Sequence, residues 1–385
     1  AFCAYIAGKT AEEVAGIALT DTTAPAEADL SSSVTMAVGG FMALVEKAAA
    51  LAESMKEEVK TGYSLTATVK GASAGEADGS ATTDIALVAV TVDGNGVIES
   101  CSIDAIQGNV TFGADGQITS ETGEILSKNE LGDNYGMRVA SSIGKEWNEQ
   151  VAAIASYAEG KTVEELKNGA IDETGMIKDA DLASSATLYA GSFIAAIEAA
   201  VNNAAYLGAG SGDKLALNVI TTSAASKSAT AEEAGCAQVD ANIAISTMKG
   251  DVITSVIIDS VQSKMSFDQA GVAENEGGDV LSKNQLGENY GLKQYSPIGK
   301  EWNEQVAAFC EYITGKTLTE AAGIALTETT APAEADLASS VTIAVGDFMA
   351  LVEKMAANNV VDESAEAEEA AELKTGYSLK YSRLA

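Results

Sequence analysis

The residues best placed to do chemistry are hydroxyls and carboxylates in one short stretch that the chain carries three times. It reads Asp181-Leu182-Ala183-Ser184-Ser185-Ala186-Thr187, and it recurs as Asp29-Leu30-Ser31-Ser32-Ser33-Val34-Thr35 and as Asp336-Leu337-Ala338-Ser339-Ser340-Val341-Thr342. Each copy precedes an apolar run with helical spacing. Hydroxyls ahead of a helix can accept from its first N–H groups, which makes Ser184 or Ser185 a candidate N-cap. The same N-terminus, with its unpaired donors and dipole, is a natural seat for a phosphate or carboxylate. The residue types leave both roles open.

Other chemistry is largely excluded. The chain has no histidine, which removes Ser-His-Asp triads, Cys-His dyads and histidine-ligated zinc or haem. Glu146 and Glu149 recur as Glu301 and Glu304, but carboxylates one turn apart on an acidic helix predict a solvated face rather than an acid–base pair. The sequence lacks a phosphate loop, a nucleophile elbow, a calcium loop and a metal cluster. No catalytic or metal-binding residue is assigned, and enzymatic activity is not expected. The four cysteines match small or apolar residues in other copies: Cys101 against Val256, Cys236 against Ala81, Cys3 and Cys310 against Ala155. Buried free thiols are the expectation. A polar stretch at 127–136, repeated at 282–291, predicts a loop that seats Tyr135 and Tyr290.

The elements that position these residues follow from internal repetition. The eleven residues from Ile143 to Ala153 reappear letter for letter from Ile298 to Ala308, and Gly8-Lys9-Thr10, Gly160-Lys161-Thr162 and Gly315-Lys316-Thr317 mark three registers. One unit is about 150 residues, an ordinary domain size. The expected division is 1–57, the C-terminal part of a unit; 58–207 and 208–358, two complete units; and 359–385, an acidic linker with the first strand of a further unit, since 374–379 repeats 60–65. Within a unit, residues 63–69, 85–92 and 97–105 read as strands, with a turn at Asp93-Gly94-Asn95-Gly96 and one buried face holding Val97, Cys101 and Ile103. Helical spacing then places Trp147, Val151 and Ile154 on one side, and Phe193, Ile194, Ile197 and Val201 on another. The predicted class is α+β: tandem repeats of an antiparallel sheet packed by helices on one face.

In this context the motif resembles the FMN-binding domain family. The order of hairpin, Gly-Lys-Glu helix, then Asp-x-x-Ser-x-Ala/Val-Thr before an apolar helix is similar to that of flavin-carrying subunits of sodium-translocating quinone reductases and of extracellular electron-transfer lipoproteins. Family members read Asp-x-x-Ser-Gly-Ala-Thr, and in many the threonine is esterified to FMN. The resemblance implies a flavin phosphate at Thr187 with Asp181 and Ser184, at Thr342 with Asp336 and Ser339, and at Thr35 with Asp29 and Ser32. The family glycine is Ser185, Ser340 and Ser33 here, and two copies have valine for alanine; glycine allows the closest backbone approach to a ligand.

A net charge of −33 repels nucleic acid and anionic lipid. No membrane-spanning stretch is recognised; the most apolar run, 186–205, contains Glu198, Asn202 and Asn203 and is expected to be a core helix. The expected role is that of an extracellular or cell-envelope repeat protein that partners itself, a filament subunit joined head to tail with no cofactor. Residues 375–381 of one subunit would add as a strand to the incomplete unit of the next. The alternative is an FMN carrier in extracellular electron transfer.

Overall fold

The thrice-repeated Gly-Lys-Thr has a local cause. Its glycine holds φ near +80° (Gly8 +84, Gly160 +75, Gly315 +83), the left-handed region that ends one helix. Its threonine then caps the next in a reciprocal box with the glutamate three residues on: Thr10 with Glu13, Thr162 with Glu165, Thr317 with Glu320.

The computed structural model describes residues 1–54 and 58–359. The acidic stretch after residue 359 and the strand expected at 374–379 lie outside the described residues. Two units are distinguished, Ala1–Glu58 and Val59–Ala385. The first is helical, with α1 (Phe2–Ile6), α2 (Ala11–Ala15), α3 (Ala28–Ser31) and α4 (Gly39–Ser54). Phe2, Val14, Leu30, Val34 and Val38 form its small core.

The second unit begins with three long strands, β1 (Glu58–Ala72), β2 (Gly79–Val92) and β3 (Ile98–Phe112). Then come α5 (Lys128–Leu131), α6 (Trp147–Ala158), α7 (Val163–Ala170), α8 (Ala180–Ala183) and α9 (Ala190–Asn202). The order recurs after β4 (Ala205–Gly210), as β5 (Lys214–Thr222), β6 (Gly235–Lys249), β7 (Val252–Phe267), β8 (Gly277–Val280), α10 (Lys283–Leu286), α11 (Trp302–Ile313), α12 (Leu318–Ala322), α13 (Ala335–Ala338) and α14 (Gly346–Asn358). One sheet has the order β3-β2-β1-β4, with β8 also paired to β1; the other is β5-β6-β7. The fold is α+β with antiparallel sheets, as expected.

The expectation of one buried sheet face is corrected. On β2, Val88, Val90 and Val92 face α6 and α9, while Ile85, Leu87 and Ala89 meet Val219, Ile243, Ile245 and Val261 of the opposite sheet. The layers therefore run helices, sheet, sheet, helices. At one end of the inter-sheet core Phe112 stacks on Phe267, centroids 3.9 Å apart and planes 2° from parallel. Gly79 and Gly235 make room for these rings, because a Cβ at either would overlap the phenyl group. The face of β3 also differs from its expected parity. Thr91 pairs with Ser100 but Val92 with Ile98, so Glu99 is an extra, bulged residue. Ile98 thereby joins Cys101 and Ile103 on the helix side in place of Val97.

The two halves exchange short strands. Residues 123–125, which follow β3, bond to β5 through Ile125 N–H to Thr221 C=O (2.9 Å) and Ser223 N–H to Gly123 C=O (2.8 Å). Reciprocally, β8 pairs with β1 from Ala67↔Val280 to Lys70↔Gly277.

Candidate functional site

The motif threonines are organised by a residue the sequence reading passed over. Gln150, fully buried on α6, accepts through Oε1 from the Thr187 backbone N–H (2.8 Å) and hydroxyl (3.2 Å). Its amide donates to the Lys145 carbonyl (3.1 Å) and Ser141 Oγ (3.3 Å). Gln305, equally buried, repeats the arrangement with Thr342 N–H (2.8 Å) and hydroxyl (3.1 Å), and with Lys300 O and Ser296 Oγ (3.2 Å each). A buried amide must find partners for both its ends. Here it ties the motif loop to the turn before its own helix.

The serines are not N-caps. Ser184 closes α8 from behind, its hydroxyl donating to the Asp181 carbonyl (2.7 Å); Ser339 does the same to Asp336 (2.8 Å) and Ser32 to Asp29 (3.1 Å). Asp181 and Asp336 lie in the first turns of the four-residue helices α8 and α13. The long helix α9 starts beyond Thr187, at Ala190, and Tyr189 before it makes no side-chain cap. Thr35 is exposed.

These contacts do not fit a flavin phosphate ester. An esterified threonine has no hydroxyl proton, so its oxygen would face Gln150 or Gln305 Oε1 as acceptor against acceptor. The serine hydroxyls are also turned back onto their own helices.

Glu146 and Glu301 are corrected from a solvated face to buried caps. The Glu146 carboxylate accepts from Met137 N–H and Arg138 N–H (2.8 Å each), and its own N–H donates to Glu149 (2.7 Å). The 127–136 loop is a structural turn, with Ser127 and Glu130 forming a capping box. Lys128 lies over the rings of Tyr135 and Trp147 (4.8 and 5.2 Å), and Lys283 over Tyr290 and Trp302 (5.2 and 5.0 Å).

All four cysteines are free, but only Cys310 is fully buried; Cys101 and Cys236 are half-buried and Cys3 is exposed. Burial pushes the Cys101 and Cys310 thiols up to about 12, which removes their nucleophilic form. Cys236 aligns with Ser80 rather than Ala81, since Gly79 and Gly235 occupy matching places below the stacked phenyl rings.

Two buried carboxylates lie on the inter-sheet faces of β3 and β7, opposite Leu87 and Ile243. Burial raises Asp104 to about 6 and raises Asp259 as well, against the hydrogen bonds that each accepts. Tyr63 crosses from the first sheet to donate to Asp259 Oδ2 (2.8 Å). Burial, with the Asp259 charge, lifts its phenol far above the usual range.

Beside each of these carboxylates is a cavity between a helix and a strand. One of about 340 Å³ lies between α6 and β3, with Asn129 and Asn148 at its wall. Its counterpart of about 410 Å³ lies between α11 and β7, with Asn284 and Asn303. Neither is lined by a motif threonine. Among the described residues no group of acidic or cysteine side chains could hold a metal ion, and no helix is long and apolar enough to cross a membrane.

Gln150, Glu146 and Asn148 share a signal that was open to reading. They are the polar letters, among core positions, of the block that recurs unchanged at 298–308. No family model matches the chain, and no curated protein or solved structure is detectably similar to it.

Proposed function

We propose that this chain is a structural, self-assembling repeat protein of the cell exterior, joined head to tail by strand addition. The observation that carries the reading is the way β1 sits on α9. A Cβ at Gly62 would overlap the Ala200 carbonyl oxygen and the Ala204 side chain, and Ser64 Oγ donates to the Ala196 carbonyl (2.8 Å). Lys60-Thr61-Gly62-Tyr63-Ser64-Leu65 therefore lies directly against the backbone of α9, with glycine on the strand and the small Ala204 just past the helix end at the closest approach. The identical text stands at 374–379. In the sequence the positions of Ala200 and Ala204 are alanine again in the first copy, at 48 and 52, but Met355 and Asn359 in the last. The helices of the first unit also leave Phe41 and Leu44 exposed, an apolar row open to a partner.

Residues 374–379 of one copy thus seat on α4 of another, and repetition of that contact gives an open polymer. The strong negative charge suits a solvent-facing exterior role. Deleting residues 374–385 or making Gly376→Val should leave the monomer folded and abolish polymers, measured by sedimentation and negative-stain microscopy. Polymers that survive both changes would refute the contact. The flavin reading has its own test, an FMN-sized mass increment on the peptide containing Thr187.

A further inference from the structure

We propose that the two helix–strand cavities are a pair of binding sites for small organic amines, molecules with an apolar body ending in an N–H donor. They occupy corresponding places 155 residues apart: Asn148 matches Asn303, and Asn129 matches Asn284. In both, the Oδ1 atom of the α6 or α11 asparagine is buried and has no hydrogen-bond partner. Leaving a buried acceptor unpaired is costly, and here the same cost is met twice at the same place.

Beside each of these oxygens stands a second asparagine whose amide is spent as a donor. Asn129 Nδ2 donates to the Ile103 carbonyl (2.8 Å), and Asn284 Nδ2 to the Ile258 carbonyl (2.9 Å) and Tyr63 OH (3.2 Å). These bonds fix each amide so that its oxygen is the unused end. The Thr314 hydroxyl donates to the Cys310 carbonyl (2.9 Å) and keeps its lone pairs. Glu159 and Glu311 complete the two linings, and neither lining contains a lysine or arginine.

The buried acceptor in each wall, Asn148 or Asn303 Oδ1, calls for an N–H or O–H donor from an occupant. The carboxylates and the net charge of −33 favour a cation over an anion. The volumes fall within the range of small-molecule sites. The apolar part of the occupant lies against Val151 and Ala155 in one cavity and Val306 and Cys310 in the other. Since both thiols are held protonated by burial, binding is non-covalent.

The test is calorimetric titration of the full chain with tryptamine and with indole-3-acetate, at a salt concentration that screens surface charge. Two tryptamine molecules should bind per chain, and the acid should bind at least tenfold more weakly. Asn148→Leu and Asn303→Leu should each remove one site, and so should Ala152→Phe and Ala307→Phe, which fill the cavities and leave the asparagines in place. Equal binding of amine and acid, no binding of either, or tryptamine binding unchanged in all four variants would overturn the proposal.

Discussion

The helices of the first unit and their counterparts in the second are written in nearly the same text, yet they differ in what they bury. Leu44 on α4 is 62% exposed and Leu351 at the matching place on α14 is 0% exposed; Phe41 is 45% exposed and Phe348 4%. The turn before the second helix shows the same contrast in its backbone. Gly160 N–H and Lys161 C=O bond to Ile98 at the start of β3, and Gly315 and Lys316 bond likewise to Ile253. Among the described residues, Gly8 N–H and Lys9 C=O have no such strand. The same capped helices form in both, and where a sheet lies against them the Phe348–Leu351 row joins a larger core.

The sharpest way to break this comparison is to truncate matched leucines. Leu351→Ala should cost about 2–5 kcal/mol, as for a fully buried leucine, whereas Leu44→Ala should cost under about 0.5 kcal/mol in the monomer. Urea denaturation of both variants measures the difference, and equal losses would mean that α4 has a covering partner in the monomer.

Next in size is a pH dependence belonging to the second unit. Asp104 titrates near 6 when folded, against an ordinary 3.8, so the folded state holds its proton more tightly than the unfolded chain. Its contribution is fully favourable below pH 4, declines as pH rises from 4 to 6, and is constant above. The loss amounts to about 3 kcal/mol, from a shift of some two units. Asp104→Asn should remove that slope, so the variant should gain on the native protein between pH 4 and 7. Among the described residues of the first unit there is no buried carboxylate, and its unfolding should not share the effect. Parallel pH profiles for native and variant protein would count against a buried, destabilised carboxylate.

The smallest expected effect tests what the units have in common. Thr23 and Thr330 both hold φ +59° where the remaining copy has Gly175 at +82°. A β-branched residue is strained there. Thr23→Gly and Thr330→Gly should each stabilise by about 0.5–1 kcal/mol, read as equal shifts in melting temperature relative to each unit. Unequal gains would show that the sheet reshapes the turn.

Much of this architecture was legible in the sequence because repetition fixes register and local rules fix caps. Thr162 with Glu165 and Gly160 before them announce a helix boundary without reference to the rest of the chain. The second sheet was harder to read. The run Ile85-Ala86-Leu87-Val88-Ala89-Val90-Thr91-Val92 lacks true alternation, the mark of a strand covered on both faces, but sequence does not say what covers it. The bulge at Glu99 shifted a face by one residue, and no periodicity count anticipates an inserted residue. The motif was misplaced for a related reason: Thr187 lies near a helix in the sequence, but its partner Gln150 is 37 residues away.

The reciprocal strand exchange has a consequence for how the chain is made. β1 cannot gain its β8 partner until residues 277–280 emerge, and Ala67 pairs with Val280. That is roughly 200 residues of further translation, on the order of 10–40 s at ordinary ribosome speeds. The inner face of the first sheet, with Leu65, Ile85 and Leu87, likewise packs on residues made later, Val219 to Val261. Pairing across so long a stretch of chain is slow to form compared with the local helices.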